Sequence, residues 1–217
     1  IRPSTRLVLT NAVYFNAAWK TPFVTDFTYD STFQAIGGDV TVPMMNGEPE
    51  SMQYAAGDGY EAIALPYDGD ELDMVMIVPE QGNFAAFEAG FDTSTVAEIF
   101  AGLGPSEYGA LSMPKFEFRY KADLVEMFKA LGMTDAFDSR ADFSGMDGSR
   151  NLSITAIVHE AFVKVNEAGT EAAAATGVVV GETSAPLPFV VDRPFIFLIR
   201  DVATGTVIFL GRVTDPS

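Results

Sequence analysis

In 217 residues, 48% of them hydrophobic, the chain carries 30 acidic against 13 basic side chains, a formal charge of −17 at pH 7. That apolar content fills a substantial core, while the acidic excess argues against nucleic acid and anionic membranes as partners, since both require clustered Lys or Arg. There is no cysteine and one histidine, which excludes disulfides and metal sites built on His or Cys, and no apolar run approaches the roughly 20 residues needed to span a bilayer.

From Leu7 to Trp19 the run Leu-Val-Leu-Thr-Asn-Ala-Val-Tyr-Phe-Asn-Ala-Ala-Trp is rich in β-branched and aromatic residues and reads as a long, mostly buried strand. Asn11 within it needs a hydrogen-bond partner if buried. Trp19 is the only tryptophan, and Lys20-Thr21-Pro22 ends the strand after it. Further strands are expected over 28–35, 40–45, 53–56, 60–66 and 72–78, broken by Gly37-Gly38, Gly57-Asp58-Gly59 and Asp68-Gly69-Asp70. Asp68, Asp70 and Asp73 lack the fixed spacing of an EF-hand loop and read as a solvated turn. Short amphipathic helices are expected over 84–91 and 94–103, the second capped from within Asp92-Thr93-Ser94, with Gly90 and Gly102 near their ends. Residues 110–120 read as another strand, 123–131 as a helix closed by Gly132, and 136–150 as a polar connection.

The next strand alternates, with His159, Ala161, Val163 and Val165 on one face and Glu160, Phe162, Lys164 and Asn166 on the other. It runs into residues 167–188, which do not read as a packed element. Connections in compact domains usually take about 4 to 6 residues, and structureless ones beyond about 12 to 15 are commonly functional. Residues 170–176 are small and, Glu171 apart, uncharged, so the segment is able to enter a sheet. Continuing the alternation puts Thr170, Ala172, Ala174 and Thr176 on one face, cheap to bury. A flexible Ala/Gly linker is the alternative. The chain closes on an apolar hairpin, 195–199 and 207–213, around Thr204-Gly205.

Enzyme chemistry finds little footing. A hydrolase needs a nucleophile and a base, yet the single histidine sits in a strand, and no Gly-x-Ser-x-Gly elbow, Gly-x-Gly-x-x-Gly fingerprint or P-loop occurs. No catalysis, cofactor or metal is expected.

Val158-His159-Glu160-Ala161, leading to Glu167-Ala168-Gly169-Thr170-Glu171-Ala172-Ala173-Ala174-Ala175-Thr176, resembles the hinge of an inhibitory serpin of the prokaryotic type. Asp192-Arg193-Pro194-Phe195-Ile196-Phe197-Leu198-Ile199-Arg200-Asp201 and Phe209-Leu210-Gly211-Arg212-Val213-Thr214-Asp215-Pro216 resemble that family's C-terminal signature, and Met44-Met45 after Val42-Pro43 another of its segments. Pro194 follows Gly169 by 25 residues, which suits a reactive loop of the usual inhibitor length. The resemblance covers essentially the whole chain but begins well inside the family pattern. It implies an α+β fold of mostly antiparallel β-sheets with a few short helices. Residues 1–217 are then a partial serpin domain, its C-terminal portion without the N-terminal helical part, and 167–188 the hinge and reactive-centre loop.

The function so implied is suicide inhibition of a serine protease. The protease attacks the loop and forms an acyl-enzyme, and the freed hinge (Glu167, Gly169, Thr170, Glu171, Ala172, Ala173, Ala174, Ala175, Thr176) inserts into the main sheet. Family spacing places the reactive bond between Thr183 and Ser184, with Glu182 as runner-up, and a small uncharged Thr183 suits an elastase-like or subtilisin-like protease. Asn11 and His159 fall where the sheet opens and are expected to bond to each other; a backbone or water cap on Asn11, with His159 a satisfied core histidine, is the alternative. Trp19, Lys115 and Glu167 fall at the breach, where insertion begins, and a Lys115–Glu167 salt bridge is expected. The remaining N-terminal part of the fold is a further expected partner, and the resemblance favours an extracellular location. A non-inhibitory carrier or chaperone of the same family, or a passive β-rich binding module, is the competing reading.

Overall fold

The computed structural model describes residues 5–170 and 186–217. Along them run β1 (Leu7–Tyr14), β2 (Ala17–Ala18), β3 (Tyr29–Ala35), β4 (Gly38–Gly47), β5 (Gln53–Gly57), β6 (Tyr60–Pro66), β7 (Leu72–Pro79), α1 (Phe84–Gly90), α2 (Thr93–Gly102), β8 (Gly104–Pro105), β9 (Ala110–Pro114), β10 (Phe116–Asp123), α3 (Val125–Ala130), α4 (Ser144–Asp147), β11 (Ile154–Asn166), β12 (Gly169–Thr170), β13 (Pro188–Val190), β14 (Phe195–Asp201) and β15 (Val207–Val213). The chain divides into two compact units, Ile1–Phe15 with Phe118–Val163 and Asn16–Glu117 with Lys164–Ser217, and both β10 and β11 carry it across the division.

Among the described residues the larger unit holds two whole sheets and the β11-β12-β2 end of a third. Gly37-Gly38 and Gly57-Asp58-Gly59 turn β3 into β4 and β5 into β6, as their turn chemistry dictates. One sheet has the order β15-β14-β7-β6-β5-β8, antiparallel throughout, and the other β13-β9-β4-β3, parallel only between β13 and β9. Strands β7 and β14 are buried along nearly their whole length, which is why they read as continuous apolar runs. On one face, Ala62, Ala64, Val75, Ile77, Ile196 and Leu198 pack against Phe84 of α1 and Ile99 of α2. The Asp92 carboxylate caps α2 by accepting the backbone N–H groups of Ser94 and Thr95 at 2.9 and 3.0 Å.

Two expectations need correction here. The single strand expected over 110–120 is two: the β4–β9 register runs through Pro114 to Lys115, whose N–H bonds the Pro43 carbonyl opposite it (3.0 Å), and from Phe116 the chain pairs with β11 as β10. The acidic turn is not wholly solvated either. Asp73 is 4% exposed and receives the Arg200 guanidinium in a two-pronged bond, Nε and Nη2 each at 2.9 Å, while the other face of that guanidinium lies 4.3 Å from the Phe100 ring centre.

In the smaller unit β1 runs parallel to β11, with β10 also paired to β11. Arg119 of β10 reaches across to Glu160 (2.8 Å) and lies over the Phe162 ring, which stacks on Tyr14. The expectation of a long buried strand from Leu7 to Trp19 is corrected: pairing stops at Tyr14, resumes only at Ala17–Ala18, and most of β1 is exposed, Tyr14 by 57%. An apolar run shows only that a strand can be buried. Burial needs a covering layer, and among the described residues β1 has β11 as its one strand neighbour.

Candidate functional site

The end of β11 and the residues after it make the most tightly specified place in the larger unit. At Asn166 the chain reverses: the Asn166 side-chain carbonyl accepts the Ala168 N–H (3.0 Å), and Gly169 and Thr170 return as β12, antiparallel to β11, with Thr170 opposite Val165. Gly169 has φ +144°, a conformation essentially reserved for glycine. A Cβ there would stand 2.2 Å from the Ala17 carbonyl oxygen and 2.7 Å from Ala18 Cα, so no other residue fits. The far edge of β12 pairs antiparallel with β2, Gly169 against Ala18 and Thr170 against Ala17. Two residues of the segment that follows β11 are therefore already a strand between β11 and β2.

Trp19 holds this turn from below. Its backbone N–H donates to the Ala168 carbonyl (3.0 Å) and its indole N–H to the Asn166 carbonyl (2.9 Å), while the ring, 1% exposed, stacks on Tyr67 at 4.6 Å between centres and 12° between planes. Tyr67 in turn shares a 2.8 Å hydrogen bond with the Thr170 hydroxyl, and Thr170 is fully buried. Burial holds the Tyr67 hydroxyl far above the usual phenol range, so it stays protonated.

Glu167, in the same turn, is buried and paired. Lys115 Nζ lies 3.1 and 3.0 Å from its two carboxylate oxygens, the Thr28 hydroxyl donates at 2.8 Å, and its carbonyl accepts the Phe23 N–H at 2.8 Å. Burial works to raise its pKa, but its own backbone N–H, Lys115 and Thr28 together outweigh that and hold the carboxyl below its ordinary value. Beside this pair opens a cavity of about 390 Å³ lined by Lys115, Glu117, Lys164, Asn166 and Glu167, with Pro43 and Pro216 at its walls.

Trp19, Lys115, Glu167, Gly169 and Thr170 thus come together in one place. Asn11 and His159 stand opposite each other in the β1–β11 register, in the smaller unit. Asn11 is exposed and His159 half-buried, and no hydrogen bond joins their side chains. Glu171, Ala172, Ala173, Ala174, Ala175, Thr176, Thr183 and Ser184 lie outside the described residues. Tyr67 and Thr28, which complete the site, were not singled out from sequence. Nothing local marks them, since each acts through partners distant in the chain, Tyr67 through Trp19 and Thr170, Thr28 through Glu167.

A family model described as Serpin (serine protease inhibitor) matches residues 1–216. An uncharacterized serpin-like protein of Thermococcus kodakarensis is 39% identical over all of this chain and 51% of its own length. The leukocyte elastase inhibitor of Bos taurus is 35% identical over 98% of this chain and 59% of its own. Among solved structures, Serpin48, described as a highly specific serpin in the insect Tenebrio molitor, aligns with a TM-score of 0.83 and 32% identity, over 99% of this chain and 57% of that one. The chain spans about half the length of the curated relatives it matches.

Proposed function

The chain belongs to the serpin family, and from that premise we propose that the protein carrying it inhibits a serine protease as a suicide substrate, its loop being cut and its hinge then entering the sheet beside β11. The observation that carries this reading is β12. Gly169 and Thr170 already occupy a strand position between β11 and β2, so further entry extends an existing pairing and avoids the cost of nucleating a new one. Each residue added makes backbone hydrogen bonds worth roughly 1 kcal/mol net apiece, offset by the β1–β11 pairing that must open to admit it, and the small side chains of 172–176 oppose entry little. Trp19, Tyr67 and the Lys115–Glu167 pair then act as the fixed frame against which the hinge moves.

On this reading the reactive bond is Thr183–Ser184, and the target is a protease with a shallow primary pocket, elastase-like or subtilisin-like. The elastase inhibitor among the relatives is consistent with such a target. We assign the exposed apolar side chains of β1 (Val8, Leu9, Tyr14) and of β15 (Ile208, Leu210) to contacts with the remaining N-terminal part of the fold.

The test is to incubate the full-length protein with elastase-like, subtilisin-like and trypsin-like proteases and to run a denaturing gel, followed by mass spectrometry of the released C-terminal peptide. A covalent band of summed mass and a peptide beginning at Ser184 are expected. Clean cleavage without a covalent band contradicts inhibition, and a peptide beginning at neither Ser184 nor Thr183 contradicts the assigned bond.

A further inference from the structure

All 13 basic residues and the single histidine lie before residue 21 or after residue 114, while Asp and Glu recur throughout the stretch between. That stretch falls inside the larger unit and builds β3 to β9 with α1 and α2. Part of its negative charge is matched from outside it, Asp70 by Lys20, Asp73 by Arg200 and Glu88 by Arg212. Asp58 and Glu98 are not matched: among the described residues neither enters an ion pair.

These two carboxylates border one cavity of about 280 Å³ between the β5–β6 turn, α1 and α2, and two aromatic rings, Tyr60 and Phe87, line it with them. Both rings pack on the core of the larger unit yet stay half-buried, 5.4 Å apart between centres and tilted by 52°. Gly57 gives the Tyr60 ring its place, since a Cβ there would overlap it. Burial first and the Glu98 charge next push the Tyr60 hydroxyl above its ordinary pKa, so the ring is a neutral phenol with a negative charge close by. Among the described residues no Lys, Arg or His lines the cavity.

The face of an aromatic ring attracts a cation within about 6 Å of its centre, and quaternary ammonium groups are commonly recognised by such rings. A calcium ion takes about 6 to 8 oxygen ligands, whereas among the described residues no three Asp, Glu, His or Cys side chains come together. The volume lies just under the roughly 300 to 1,000 Å³ usual for small-molecule sites, which limits the ligand to few heavy atoms. We propose that Tyr60, Phe87, Asp58 and Glu98 form a binding site for a small organic cation, a substituted ammonium whose methyl groups lie on the two rings and whose charge the two carboxylates meet. Nothing in this site depends on cleavage or insertion of the loop.

The test is titration of the full-length protein with choline and, in parallel, with dimethylbutanol, its uncharged carbon isostere, read by saturation-transfer NMR of the ligand methyl groups. Saturable choline binding is expected, with the alcohol bound roughly tenfold or more weakly. Glu98→Gln, an exposed change that leaves the core alone, and Phe87→Leu, which removes a ring, are each expected to weaken choline binding by roughly threefold or more. Asp39→Asn removes the same charge outside the cavity, at the start of β4, and is expected to leave binding unchanged. Equal binding of choline and the alcohol, no saturation by about 10 mM choline, or unchanged binding in both Glu98→Gln and Phe87→Leu overturns the site. So does an equal loss in Asp39→Asn and Glu98→Gln, which would mark a diffuse field of the acidic surface.

Discussion

Replacing Gly169 by Ala puts the whole site under load. The added methyl would sit 2.2 Å from the Ala17 carbonyl oxygen, 2.7 Å from Ala18 Cα and 2.9 Å from the Trp19 nitrogen, all of them backbone atoms that no side-chain rotation can clear. The backbone itself, at φ +144°, costs an L-residue about 1 to 3 kcal/mol before any clash is counted. Against this, β12 contributes a short pairing on each edge, at about 1 kcal/mol per hydrogen bond, and the Tyr67–Thr170 bond, of similar worth. Strain and overlap together exceed what the two-residue strand returns, so the variant is expected to expel Gly169–Thr170 and keep the rest of the fold. Trp19 reports this directly, since its indole N–H is tied to Asn166 and its ring is stacked on Tyr67 inside the frame. Relative to the parent, the variant should show red-shifted tryptophan emission and greater acrylamide quenching, with a thermal midpoint a few degrees lower, as about 1 to 2 kcal/mol implies. Unchanged emission and midpoint would mean that β12 is not held against β2 as described.

The Lys115–Glu167 pair should be pH-dependent. Because the folded Glu167 pKa lies below its unfolded value, its contribution is complete above the ordinary carboxylate range, near 4.3, and is lost as the pH falls through the folded pKa; Glu167→Gln should cost about 1 to 2 kcal/mol at pH 7 in chemical denaturation, with the gap closing below about pH 4. Asp73→Ala, which strands a buried Arg200, should cost about 3 to 5 kcal/mol, whereas Asp70→Ala, which breaks only the exposed pair with Lys20, should cost under about 1 kcal/mol; equal losses in urea unfolding would refute the assignment of the first pair as buried.

How far this could be read from the amino acids depends on how local each signal is. Glycine turns and apolar runs are local, so β3 to β7, α1, α2 and the β14–β15 hairpin lie close to where pattern places them. The site was legible at Trp19, Lys115, Glu167, Gly169 and Thr170, because unusual residues at fixed spacing resemble a family pattern. Partners were not. Tyr67, Thr28 and the Asp73–Arg200 pair matter through contacts across the fold, which no period or turn signal encodes. Exposure of β1 was misjudged for a related reason: hydrophobicity records that a strand can be covered, while the covering layer is a property of the assembled fold.

On the proposed mechanism the hinge enters the sheet with Thr170 facing inward. Its most direct test is the number of moles of inhibitor consumed per mole of protease silenced, measured with the full-length protein for Thr170→Arg and Glu171→Arg. Thr170 is fully buried against Tyr67, and an arginine there would carry an unpaired charge inside at a cost of several kcal/mol. By strand alternation the next side chain belongs to the opposite face. Thr170→Arg is expected to raise the ratio many-fold with little change in the rate of loop cleavage, and Glu171→Arg to leave it near the parent value. An unchanged ratio for Thr170→Arg, or an equal rise for both variants, would contradict it.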